Sequence, residues 1–158
     1  MGWEQELGEA DRMWRTYIEM SKHLGSHLQQ HMQRDHELSA ADFEVLVRLA
    51  ESADRRMPVA QLAAATQWEK SRLSHQLTRM AQRGLVERVD SDRRYPDVLL
   101  TDKGHAAINK AVPAHTEMVH ALFIDVLGPE RLASFAEACA DVLRTLDVHR
   151  EQDCSLSG

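Results

Sequence analysis

Between Lys70 and Arg83 the sequence writes two faces onto one segment. Leu73, Leu77, Met80 and Ala81 form an apolar side, and Lys70, Ser71, Arg72, Ser74, His75, Gln76 and Arg79 form a donor-rich one. Apolar residues three and four apart bury one side of a helix and leave the opposite side to solvent or to a partner. Thr66-Gln-Trp-Glu69 has the spacing of a capping box that would open this helix, and Gly84 is placed to close it in a left-handed cap. Leu85–Val89 then alternates like a half-buried strand, residues 90–97 are a polar turn containing Pro96, and Val98–Thr101 returns as a second strand. A helix of donors feeding a charged hairpin is a strong constraint. About 14 residues make a helix of roughly 21 Å, which fits a major groove about 12 Å wide.

The flanking pattern is helical. From about Asp11 to Met32, Met13, Tyr17, Met20, Leu24 and Leu28 form an amphipathic stripe with no proline. Ser39 is a natural N-cap for a second helix through Phe43, Leu46, Val47 and Ala50, with Asp42 in its first turn and Leu38 placed to staple onto Phe43. Met57-Pro58-Val59 reads as a short extended piece, and Ala60–Thr66 as a short helix of small residues, too short to persist alone. Two short helices, a tight turn and a basic hairpin make a winged helix-turn-helix. After Thr101 a long helix begins, interrupted at Pro113. Gly128-Pro129 breaks the pattern again before a last helix carrying Leu132, Phe135, Cys139, Val142, Leu143 and Leu146. Fold class is therefore mainly α (α+β). The domain reading is an N-terminal helix at 1–37, the winged helix-turn-helix at 38–101, C-terminal helices at 102–150 and a disordered tail at 151–158.

Charge is polarised along the chain. The net charge is −6, yet Trp68 to Tyr95 holds seven basic and four acidic residues, which leaves −9 for the remainder. A locally basic segment in an acidic frame gains from counterion release on one face only, which orients a polyanion. The donors suit base edges: Arg72 can bond bidentately to guanine and Gln76 to adenine. Lys70, Ser71, Arg79 and Arg93 suit phosphates, while Arg83 and Arg88 read as structural or peripheral.

Other classes fare poorly. No stretch approaches the roughly 18 apolar residues needed to span a bilayer. The opening Met1-Gly-Trp-Glu-Gln-Glu has neither region of a secretory signal, so the expectation is a cytoplasmic protein with no membrane partner. Cys139 and Cys154 are too few for a disulfide framework, and Cys139 on an apolar stripe reads as a small hydrophobe. No nucleophile elbow, zinc-protease helix, P-loop or dinucleotide fingerprint occurs, so no enzyme and no cofactor are expected.

The string Leu62-Ala…Ser71-x-Leu73-Ser74-x-x-Leu77-x-Arg79-Met80-x-x-x-Gly84-Leu85-Val86-x-Arg88, then Asp92-Arg93-Arg94 and Leu100-Thr101-x-x-Gly104, resembles the MarR family of transcriptional regulators. The resemblance runs from the first helix to about Arg150. It implies a homodimer held by the first and the last two helices, Arg94 as the wing residue in a minor groove, and Asp92 as the residue that fixes the hairpin. Paired recognition helices would then meet successive major grooves about 34 Å apart, on a pseudo-palindromic operator.

The resemblance also implies a pocket for a small aromatic or anionic effector, for which Trp14, Arg15, Tyr17, His23, Phe43 and Trp68 are the candidates, with Arg15 suited to a carboxylate. His23, His27 and His31 recur every four residues, a spacing that can hold zinc or copper, but no cysteine or carboxylate cluster completes a ligand set, so no metal is assigned. The functional expectation is a DNA-binding regulator, a repressor rather than an activator, released by its effector. The alternative is a small-molecule or metal-responsive sensor that acts through protein partners with little operator affinity.

Overall fold

A 28-residue helix, α1 (Glu9–His36), begins the described chain, with Glu9 and Asp11 in its first turn and Arg34 and His36 in its last, as the helix dipole favours. The computed structural model describes residues 8–89 and 96–156. These fall into two compact units, Met1–Thr116 and Glu117–Gly158.

In the first unit, α1 ends at Glu37, a left-handed residue (φ 55°). Its N–H donates to the Gln33 carbonyl at 3.1 Å, and that of Leu38 to the Met32 carbonyl at 3.4 Å. That pairing satisfies two terminal carbonyls and turns the chain sharply. α2 (Ala40–Glu51) starts with the expected Ser39 cap, and more completely than expected. The Asp42 N–H donates to Ser39 Oγ at 3.0 Å, and the Ser39 N–H to Asp42 Oδ2 at 2.9 Å. A 3₁₀ turn (Ala53–Arg55) leads to β1 (Arg56–Pro58), α3 (Val59–Thr66), α4 (Lys70–Gln82), β2 (Val86–Val89), β3 (Asp97–Leu100) and α5 (Asp102–Val119).

The hairpin strands pair as expected, Val86 with Leu100 and Val89 with Asp97, and β1 adds a third antiparallel strand on the far side of β3, in the order β1-β3-β2. Pro58 sits at the end of this edge strand, where its missing N–H costs no ladder bond. The core lies between these helices and the sheet, and Leu38, Leu46, Leu49, Leu62, Leu73, Leu77, Met80, Ile108, Val45 and Val98 are its largest fully enclosed side chains. Each buried leucine contributes roughly 1.5–3 kcal/mol.

Three expectations are corrected here. Thr66 does not open α4: it lies inside α3, and its hydroxyl donates backwards to the carbonyls of Leu62 (2.9 Å) and Ala63 (3.3 Å). A threonine in the last turn of a helix has such carbonyls in reach, and they win over amides further along the chain. α3 instead stops at Gln67, which is left-handed (φ 57°), and Glu69 precedes α4 without a side-chain cap. Pro113 does not interrupt α5, which runs through it with Gly104, Ile108 and Ala111 buried on one face. A proline removes a single hydrogen bond from a helix, and the packing of that face holds the rest. Ala81, finally, is exposed.

The second unit holds a π-helical turn (His120–Ile124) and α6 (Asp125–Leu156). Gly128 (φ 72°, ψ 169°) breaks the helical path just before Pro129, as the sequence indicates. Phe123 and Phe135 meet edge to face with centroids 5.6 Å apart. Further along, α6 leaves Val142, Leu143, Leu146 and Val148 exposed. The helix continues to Leu156, past Glu151, where the sequence reading ends it.

Candidate nucleic-acid interface

α4 shows how one helix supports a reading surface. Leu73, Gln76, Leu77 and Met80 are buried, a run at i, i+3, i+4 and i+7. Lys70, Ser71, Arg72, Ser74, His75 and Arg79 are exposed. No acidic residue follows the Glu69 N-cap in the first turn, where Lys70 adds its positive charge to that of the helix dipole. Arg72 is held over the Trp68 ring, its guanidinium carbon 4.4 Å from the centroid. Ser74 accepts from Arg88 Nη2 on β2, through its carbonyl at 3.1 Å and its hydroxyl at 3.2 Å.

Gln76 departs from the sequence reading. It is 3% exposed and faces inward, so it is no base-reading residue. Its Nε2 donates to Asp42 Oδ1 at 2.7 Å, and its Oε1 accepts from Arg79 Nη2 at 2.5 Å. The physical reason is position: three residues beyond Leu73 and one before Leu77, it shares their face whatever its polarity. Asp42, which the sequence marks only as a first-turn residue of α2, also accepts from Arg83 Nη1 at 2.7 Å on its buried carboxylate. Arg83 Nη2 donates to the Glu37 carbonyl at 2.5 Å, so its structural role is explicit.

The end of α4 is tied to the base of the wing. Gly84 adopts φ +74°. The Thr101 hydroxyl donates to the Gly84 carbonyl at 2.6 Å and accepts from the Gly104 N–H at 3.0 Å. A Cβ on Gly104 would stand 2.1 Å from the Leu85 carbonyl oxygen, so no other residue fits. Arg56 Nε donates to Asp97 Oδ2 at 2.7 Å where β3 begins. Asp92, Arg93 and Arg94, expected at the wing tip, lie outside the described residues.

A family model described as MarR family matches residues 36–94. AbsC, a MarR family transcriptional regulator from Streptomyces coelicolor, is 37% identical, over 93% of this chain and 99% of that one, with a TM-score of 0.84. The chain belongs to the MarR family. Sco3205, a MarR family regulator from the same organism whose structure is in complex with DNA, is 34% identical over 89% of both chains, also with a TM-score of 0.84. The HTH-type transcriptional regulator PecS of Dickeya dadantii (strain 3937) is 33% identical over 97 residues, which are 60% of this chain and 56% of that protein, so the match spans little more than half of that relative. The MarR family is one of transcriptional regulators, not enzymes, and the Leu-Thr-x-x-Gly signature has its physical basis in the Thr101–Gly104 junction above.

Of the candidate effector residues in this MarR protein, Phe43 lines a cavity. A space of about 200 Å³ is walled by Gly25, Leu28, Gln29, Met32, Ala40, Phe43 and His115. The Phe43 and His115 rings lie 4.6 Å apart, and burial holds the imidazole below its ordinary pKa. His115 carried no sequence signal, because its partner is 72 residues away. Trp14 and Tyr17 stack on each other at 5.7 Å on an exposed stretch of α1, and Arg15 and His23 are exposed on that helix too. Trp68 belongs with Arg72. His27 and His31 approach to 4.6 Å, but His31 Nδ1 accepts from Arg34 at 2.7 Å, and among the described residues no group of three or more His, Cys, Asp or Glu is set to hold a metal ion. Among them, too, no helix is long and apolar enough to cross a membrane.

Proposed function

We propose that this MarR family regulator is a cytoplasmic repressor that binds a pseudo-palindromic operator as a homodimer and is released by a small aromatic or anionic effector. The observation that carries the reading is the outer face of α4. Lys70, Ser71, Arg72, Ser74, His75 and Arg79 present donors side by side, backed by Leu73, Leu77 and Met80. Base edges and phosphates in a major groove mostly accept. Arg93 and Arg94 reach a neighbouring minor groove, with Asp92 bracing the hairpin, and segments 38–101 thereby read DNA while 1–37 and 102–150 join two copies. The exposed Met13, Trp14, Tyr17 and Ile18 of α1 and Val142, Leu143 and Leu146 of α6 support dimerisation, since such stripes need cover. The apolar cavity beside Phe43 and His115 favours an aromatic ring as effector. A ligand that prefers one spacing of the two recognition helices weakens DNA binding by its differential affinity.

The test is a gel shift against promoter fragments over a salt series. Binding falls steeply with salt and shows sequence preference. Arg72→Ala weakens it and relaxes the preference at one base pair, while Arg94→Ala weakens it through the wing. Unchanged affinity in both variants rejects the reading, and binding without salt dependence favours a sensor that works through protein partners.

A further inference from the structure

Resting on that DNA-reading function, we infer that Asp42 and Gln76 are positioning residues that aim Arg79 at DNA. A carboxylate has only acceptors. Asp42 therefore forces the Gln76 side chain to turn its NH₂ inward, at 2.7 Å from Oδ1. The amide oxygen is left pointing outward along α4, and there it takes Arg79 Nη2 at 2.5 Å. Arg79 is one turn on from Gln76 and exposed, so its guanidinium is tethered through one nitrogen and most of its five donors stay available.

The same carboxylate secures the helix that carries Arg79. Its Oδ2 accepts from Arg83 Nη1 at 2.7 Å and from the Ser39 N–H at 2.9 Å. Arg83 lies two turns along the buried side from Gln76 and also grips the Glu37 carbonyl. One buried acidic group thus sets both where α4 lies against the α1–α2 corner and which way an arginine on its outer face points. A long side chain ordered before binding loses less freedom on the DNA, which is worth roughly three- to tenfold in affinity.

The probe is a duplex selected by the wild-type protein from a randomised pool, with binding read by fluorescence anisotropy. Gln76→Met keeps the volume and removes both hydrogen bonds. It weakens binding roughly three- to tenfold in the wild-type background and leaves it almost unchanged in an Arg79→Ala background. If Gln76 merely held the helix in place, the loss would be equal in both backgrounds, and that result, or no loss at all, overturns the inference. Urea melts follow folding of each variant. Should Gln76→Met not fold, Gln76→Leu, which also removes both hydrogen bonds and leaves the Asp42–Arg83 pair in place, is put through the same cycle with the same expected and overturning results. A wild-type protein that enriches no duplex from the pool overturns the DNA-reading function and this inference together, whereas additive losses overturn this inference alone.

Discussion

Helices α4 and α6 both carry apolar side chains, yet those side chains meet opposite ends. Leu73, Leu77 and Met80 of α4 have no exposed surface, whereas Leu143 of α6 is 61% exposed and Val142 59%. The apolar side of α4 is consumed by its own protomer, in a core further fixed by Asp42, Gln76 and Arg83. Val142, Leu143 and Leu146 of α6 are left uncovered. A helix that must hold donors in a set geometry needs rigid backing from its own chain. In the dimer proposed above, a helix that joins two copies must keep its stripe outside.

The largest effect should come from removing the outside stripe. Leu143→Glu with Leu146→Glu gives a monomer by sedimentation velocity and lowers operator affinity about a hundredfold or more, because two linked half-site contacts become one. A dimer that persists breaks the comparison. Next is the inside stripe: Leu77→Ala costs roughly 2–5 kcal/mol of folding stability in urea melts, through a cavity in a closed core. Trp68→Leu sharpens the picture of α4 by removing the ring beneath Arg72. It lowers operator affinity about two- to fivefold, the value of an exposed cation–π contact, with little change in melting temperature.

The smallest effect is acid sensitivity at His115. Burial lowers its pKa, so below the ordinary histidine value of about 6.5 the unfolded chain binds a proton that the folded chain resists. Stability is therefore fully present above that pH and falls as the pH drops below it. His115→Phe flattens the melting temperature across that range, and an equal slope in both proteins refutes the assignment.

Much of α4 could be read in advance, because a 3.6-residue period and a terminal glycine are local signals. Gln76 was misplaced because residue type was weighed above position, although its spacing from Leu73 and Leu77 already put it inside. Thr66-x-x-Glu69 failed for a related reason: the spacing matches a capping box, but α3 had not yet ended there. What sequence could not carry were contacts across long separations. Asp42 meets Gln76 over 34 residues, and Arg56 meets Asp97 over 41. The pairing of β1 with β3 is of the same kind, since a three-residue strand has no periodicity to display.

The junction at Gly104 has a mechanical consequence. With the Leu85 carbonyl oxygen 2.1 Å from where a Cβ would stand, not even a methyl group fits between the start of α5 and the strand that enters the wing. The two are geared together, without backlash. A rotation at the near end of α5 would press on the Leu85 carbonyl, at the foot of β2.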